Sequence, residues 1–306
     1  NTATRGSRKE FPSVAVIVAE SNKVTIYDGD TPDLDMWMVF NGGTNTGYSF
    51  AGFSPSSREH SSIVMLNGVM TTGGSGAGYL TTCSFLDEKG VVYLAGTNGV
   101  HVLSANIVDR NATVIYTTNL GNANVLVNGY VNDVAMTVLP NAPIDSTTGL
   151  PIPTIAVATD GGVSVIKDDG SVVDITGLAA VNVALVGSKG WVAASWNVLY
   201  APSDHYYVYN IPANDQTYSG TYLFKYAGSA SIPATSHLGS NAGFFRGAVF
   251  TDKHLIGASY WGAGSNEHPS LVYLTQEETQ GKQSVAYLSS TYNSGYMTGD
   301  IKGAWL

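Results

Sequence analysis

Cysteine is almost missing from this 306-residue chain, where Cys83 stands alone. No intrachain disulfide can form, so a disulfide scaffold is excluded and the fold must be held by burial and hydrogen bonding. Cys83 itself reads as a small buried strand residue. Basic charge is scarce too: 14 Lys and Arg face 23 Asp and Glu, a net charge of −9. That balance supplies no broad positive field, which excludes nucleic acid and membrane insertion as expectations. Charged residues make up 12% of the chain, too few for a coiled coil, and 44% hydrophobic residues are too many for a disordered one. No apolar run approaches the ~18 residues of a membrane span. Asn1 to Lys9 carries charge with no apolar segment behind it, so no signal peptide is read there. With no Met in first place, the chain is read as a fragment or a processed product.

Helical periodicity is also wanting, and Gln276–Gln280 could supply one turn at most. What the chain has instead is 35 glycines, 18 tyrosines and short apolar runs broken by turn residues. The stretch from Thr154 to Thr176 is the clearest. Ile155–Ala158, Val163–Ile166 and Val172–Ile175 are separated by Asp160-Gly161-Gly162 and Asp168-Asp169-Gly170. Asp-Gly and Gly-Gly provide the positive φ of tight hairpins, and alternation at period 2 marks strands, so this predicts a three-stranded antiparallel meander. Asn67-Gly68, between Ile63–Leu66 and Val69–Met70, is a second strong hairpin signal. An apolar strand, a polar turn with a late Lys and a second apolar strand recur around Lys89, Lys189 and Lys253, and more faintly around Lys23.

Units of ~50 residues with four strands each are the mark of propeller blades. The expected fold is therefore all-β, a β-propeller of about five four-stranded antiparallel blades, with six as the alternative count. The blades fall roughly at 12–75, 80–118, 128–177, 178–228 and 240–290. Residues 1–10 are expected to be an N-terminal arm or linker, 11–295 the propeller, and 296–306 a closing strand or a linker to a further C-terminal domain. Two or three smaller β domains are the competing division.

Four groups of residues are candidates for chemistry. Asp28, Asp30, Asp33 and Asp35 share one short loop, and hard carboxylate oxygens at that spacing suit calcium. The loop departs from the EF-hand pattern, and a solvated acidic turn explains the same residues. Trp196, Tyr206, Tyr260 and Trp261 lie beside turns in an aromatic-rich region, and flat rings with nearby amides and carboxylates hold sugars by stacking. Trp191, Tyr207 and Tyr209 in the same region suit core packing. Asp160, Asp168, Asp169 and Asp174 could include the carboxylate pair of a glycosidase, although all but Asp174 sit where a turn wants Asp anyway. The glycines of Gly73–Gly78 lack the Lys-Ser/Thr and strand–helix setting of a phosphate loop. No nucleophile elbow, zincin helix or Walker loop is present, and the six His are scattered. No catalytic residue is assigned.

Two stretches carry a resemblance. Arg5–Glu20 with Tyr27–Phe40, YDGDTPDLDMWMVF, resembles the start of propeller-like structural proteins of tailed bacteriophages. Tyr296–Leu306 resembles the segment that leads into a concanavalin A-like lectin domain in those proteins. The resemblance implies a non-enzymatic virion component in a symmetric homo-oligomeric assembly, contacting other virion proteins as a tail-fibre, tail-tip or capsid-decoration protein. It implies a rigid adaptor or a surface for host-cell glycan. A glycosidase or depolymerase acting on host polysaccharide is the alternative. No cofactor is expected beyond calcium at the acidic loop.

Overall fold

The computed structural model describes residues 5–20, 23–41, 60–74, 79–85, 88–96, 99–103, 116–146, 149–178, 181–187, 190–196, 205–217, 224–227, 245–250, 254–262, 267–275, 284–289 and 303–305. These form five sheets, antiparallel but for one short parallel pairing, and no α-helix. The fold is all-β. In strand order no sheet closes on itself among the described residues.

The first sheet is a meander of β1 (Ala15–Glu20), β2 (Lys23–Asp28) and β3 (Met36–Asn41). The second holds β4 (His60–Leu66), β5 (Val69–Gly74), β6 (Tyr79–Ser84), β7 (Gly90–Leu94), β8 (Val100–Leu103) and β9 (Tyr116–Asn119), paired in sequence order. The third runs β10 (Val131–Thr137), β11 (Thr154–Thr159), β12 (Gly162–Ile166) and β13 (Val172–Thr176). The fourth joins β14 (Val181–Gly187), β15 (Trp191–Trp196) and β16 (His205–Asn210). Before that sheet is completed, β17 (Gln216–Thr217) leaves to pair in parallel with β13, and β18 (Phe224–Ala227) then returns beside β16. The fifth comprises β19 (Phe245–Phe250), β20 (His254–Gly262), β21 (Glu267–Thr275), β22 (Ser284–Ser289) and β23 (Gly303–Trp305). Gly303–Trp305 pairs with β22, inside the chain's last sheet.

Turn chemistry explains the hairpins. Asn67 and Gly68 both have positive φ, 49° and 74°, as a two-residue turn matched to strand twist requires. Gly162 has φ 138°, and a Cβ there would overlap the Ile175 carbonyl oxygen on β13, so only glycine fits. The sheet boundaries differ from the repeat units in three places: β17 pairs outside its own unit, β23 joins the fifth sheet from beyond residue 290, and the first two units divide elsewhere. The expected break between the first two units lies between residues 75 and 80, but β5 and β6 pair across it, Met70 opposite Cys83 and Thr72 opposite Thr81. The first sheet thus ends at Asn41, and β4 and β5 belong with the second. Neighbouring strands in sequence pair most readily, and a short glycine-rich loop permits that as well as it permits a break.

The chain forms two compact units. One comprises Asn1–Val134, Pro143–Pro153 and Ile166–Val172; the other comprises Ala135–Ala142, Thr154–Val165 and Val173–Leu306. In the first, Val24, Ile26, Met38 and Phe40 of sheet one pack against Met70, Cys83, Val92 and Leu94 of sheet two. Strand β1 is apolar on both sides. Ala15, Ile17 and Ala19 face that core while Val16 and Val18 stay exposed. In the second unit, Ala156, Ala158, Val163, Val165, Val173 and Ile175 pack against Val181, Val186, Val192, Ala194 and Tyr209, so sheets three and four meet face to face.

Candidate functional site

The acidic loop at the end of β2 is filled from within the chain. Arg8 Nη1 donates to Asp28 Oδ1 (2.9 Å) and Oδ2 (2.8 Å) and to Asp30 Oδ2 (2.7 Å). Asp30 also accepts the backbone N–H groups of Ser13 (2.8 Å) and Val14 (3.0 Å), and the Asp30 N–H donates to Asp28 Oδ1 (3.0 Å). The Ser13 amide first, and Arg8 next, hold the Asp30 carboxyl down at about 2. Asp35 contributes its backbone, accepting the Asp28 N–H through its carbonyl and donating its own N–H to Thr31 Oγ1. Asp28, Asp30, Asp33 and Asp35 were the calcium candidates. Among the described residues, no three Asp, Glu, His or Cys side chains gather so as to hold a metal ion. The cation that Asp28 and Asp30 hold is Arg8.

This clasp makes residues 5–14 a strap over the first sheet, overlapping the 1–10 segment expected to be an N-terminal arm or linker. The Gly6 N–H donates to the Trp37 carbonyl (2.9 Å), as does Arg5 Nη1 (2.8 Å), and the Arg5 guanidinium lies 4.4 Å from the Trp37 ring centre. Trp37 Nε1 donates to the Glu10 carbonyl (2.7 Å). Phe11 meets Trp37 and Phe85 edge to face, with ring centres 4.9 and 5.5 Å away. Residues Asn1–Thr4 lie outside the described residues.

The four aromatic candidates lie at the ends of two hairpins. Trp196 is the last residue of β15 and pairs with His205, the first of β16. Tyr206 pairs with Ser195 on one side and Tyr226 on the other. Tyr260 pairs with Pro269 and Trp261 with His268, at the end of β20 and the start of β21. Both hairpins join the second and third strands of their sheets, so the backbone puts the two aromatic groups at corresponding positions of successive sheets. Trp191 and Tyr209 are buried, as a core role requires, and Tyr209 belongs to the apolar core of the second unit. The side chains of Tyr207 and of the four candidates lie outside the described residues.

Between β10 and β11, residues 140–153 form a small hairpin in which Ile144 pairs with Pro151 and stays 60% exposed. Asn67 Nδ2 donates to the Pro151 carbonyl (2.8 Å), tying the β4–β5 turn to it.

Among the glycosidase candidates, Asp169 caps its own turn, accepting the Ser171 N–H (2.9 Å) and hydroxyl (2.6 Å), and Asp160 is an exposed turn residue. Asp174 is different. It sits in the body of β13 and accepts the Ser164 hydroxyl at 2.6 Å, and its backbone N–H donates to the Asp215 carboxylate at 2.9 Å. Burial first, with the Asp215 charge adding, raises its carboxyl to about 6 against the pull of Ser164. Asp215 was missed in the sequence. It lies 41 residues away in an unremarked polar stretch, and only the β17 crossover brings it to β13.

No protein-family model matches the chain, and no curated protein matches it. Among solved structures it is similar to Kuenenia stuttgartiensis hydrazine synthase, at 11% identity and a TM-score of 0.46, over 90% of this chain. The chain spans 63% of the length of that neighbour, and a likeness at this level carries no argument about chemistry.

Proposed function

We propose that the chain is a β-propeller of about five blades serving as a structural component of a tailed-bacteriophage virion, in a tail fibre, tail tip or capsid decoration. Its task on this reading is to present a rigid adaptor or host-glycan surface in many symmetric copies. Five sheets in chain order, each mostly a sequential antiparallel meander, support the propeller. So does the two-sided apolar character of β1, because a blade packs neighbours on both faces.

The observation that carries the glycan reading is the placement of Trp196, Tyr206, Tyr260 and Trp261 at equivalent hairpin ends of successive sheets. Equivalent ends share one rim of a propeller, where loops are free to bind. Sugar contacts there would be individually weak, and a symmetric particle would multiply them.

The test is a broad glycan array and host-cell binding with purified protein. A defined set of glycans should bind, and Trp261→Ala should weaken that binding by roughly tenfold, about 1.4 kcal/mol. No binding to array or cells sinks the adhesion half of the proposal, and absence of the chain from purified particles by mass spectrometry sinks the virion half.

A depolymerase is the second reading, favoured by the raised Asp174 carboxyl beside Asp215. It ranks lower because both carboxylates are already engaged within the chain, one by the Ser164 hydroxyl and the other by the Asp174 backbone N–H. Polysaccharide degradation that disappears in Asp174→Asn would reverse that ranking.

A further inference from the structure

Strand β17 is an unusual element. It belongs to the connection between β16 and β18 of the fourth sheet, yet its two residues pair with the third, Ile175 with Gln216 and Thr176 with Thr217. This is a parallel pairing of two residues, short enough that its ladder alone is weak. Side chains supply the rest. Asp215, immediately before β17, accepts the Asp174 N–H at 2.9 Å, and Thr176 Oγ1 donates to the Gln216 carbonyl at 3.3 Å. On the other flank the connection is fixed where the Ile211 N–H donates to the Gly190 carbonyl, with Ile211 packed on the apolar core.

The bond that positions β17 therefore brings one carboxylate to the backbone of a residue that carries another. The groups around Asp174 are easily counted. Strand β12 brings Ser164, which is neutral, and Lys167 lies beyond the end of that strand. Strand β11 has no charged residue, and the opposite side of β13 is the apolar core. Asp215 is the one charge acting on the Asp174 carboxyl among the described residues. Among the described residues, no cation acts on the Asp174 carboxyl to offset that charge.

We propose that Asp174 and Asp215 form a proton-operated latch on the β13–β17 pairing, closed when Asp174 holds a proton and loosened when both carboxylates are ionised. A protonated Asp174 leaves Asp215 as a single anion on a backbone donor, a favourable arrangement. Once ionised, Asp174 repels Asp215 from a partly buried position, and the strain falls on the weakest element nearby, β17. The sign follows from the raised carboxyl, about 6 in the fold against an ordinary 3.8. The latch is fully closed below the ordinary value and loosens as pH rises through about 6. The 211–217 connection would be held at mildly acidic pH and released at neutral pH. This inference is independent of the glycan reading.

Amide hydrogen exchange of the whole protein tests it, with protection at Ile175, Gln216 and Thr217 corrected for intrinsic rates at pH 5 and pH 7.5. Wild-type protection should fall about three- to tenfold over that interval, tenfold being the ceiling for a group this exposed. The Ile26 amide in the other unit should stay level. Asp174→Asn should abolish the fall and keep the high protection seen at pH 5. Asp215→Asn, an exposed change that keeps an acceptor for the Asp174 N–H, should show a smaller fall than wild type and decides the matter if Asp174→Asn does not fold. A level wild-type profile, an undiminished fall in Asp174→Asn or Asp215→Asn, or an equal fall at Ile26 overturns the latch.

Discussion

Arg8 donates to two carboxylates, and Asp30 is further fixed by the amides of Ser13 and Val14. Its loss leaves Asp28, 3% exposed, as an uncompensated charge. Arg8→Ala should lower the melting temperature by several degrees and set the strap free, seen as new proteolytic cleavage before Val14. Acid should act on the same site. The Asp30 carboxyl is held at about 2, below its ordinary 3.8. Its contribution is present above the ordinary value and is lost as pH falls through about 2. Wild-type melting temperatures measured from pH 6 to pH 2 should drop more steeply at the acid end than those of Arg8→Ala. Glycines give a second comparison. Gly162→Ala forces a Cβ onto the Ile175 carbonyl at φ 138° and should cost about 3 kcal/mol in denaturant unfolding. Gly170, at φ 82° with open space around it, should cost about 1–2 kcal/mol as Ala.

Among the elements, the hairpins were the most readable part of the chain. Asp160-Gly161-Gly162 and Asn67-Gly68 announce their turns because the cause is local, a φ that few residues adopt. The boundary between the first two sheets was not readable. Gly73–Gly78 has the composition of either a hairpin loop or an inter-sheet loop, and only the pairing of Met70 with Cys83 decides. The clasp and the latch were hidden for a different reason. Arg8 and Asp28 are 20 residues apart and Asp174 and Asp215 are 41, and no periodicity links such partners. The aromatic candidates were found by composition, and the structure adds their correspondence between two hairpins. Packing between the first two sheets can be probed directly. Phe40 is fully buried and meets Phe85 edge to face at 5.8 Å. Phe40→Ala should destabilise the protein by about 3–5 kcal/mol in denaturant unfolding, as expected for an aromatic side chain removed from a packed core.

For the whole molecule, the chain does not divide at a linker. The unit that holds the first two sheets also takes in Pro143–Pro153 and Ile166–Val172. Those segments supply the Pro151 carbonyl to Asn67 and the Val172 N–H to Asn124. A fragment of residues 1–134 should therefore give poor amide dispersion by NMR, while residues 1–178 should give a dispersed spectrum. Equal dispersion in both fragments would show that the later segments are dispensable.

The strap has a mechanical consequence. Tension arriving along the chain from before Arg5 meets the bond of Gly6 to Trp37 and the Arg8 clasp before it meets the ladder of β1. The strap therefore acts as a fuse in series with the first sheet. It would give way with a short extension of the chain from Arg5 to Val14 while the Phe40 core stays packed. In single-molecule pulling from the N-terminus, the first event should be a small, salt-sensitive step that is missing in Arg8→Ala, followed at higher force by loss of the sheet.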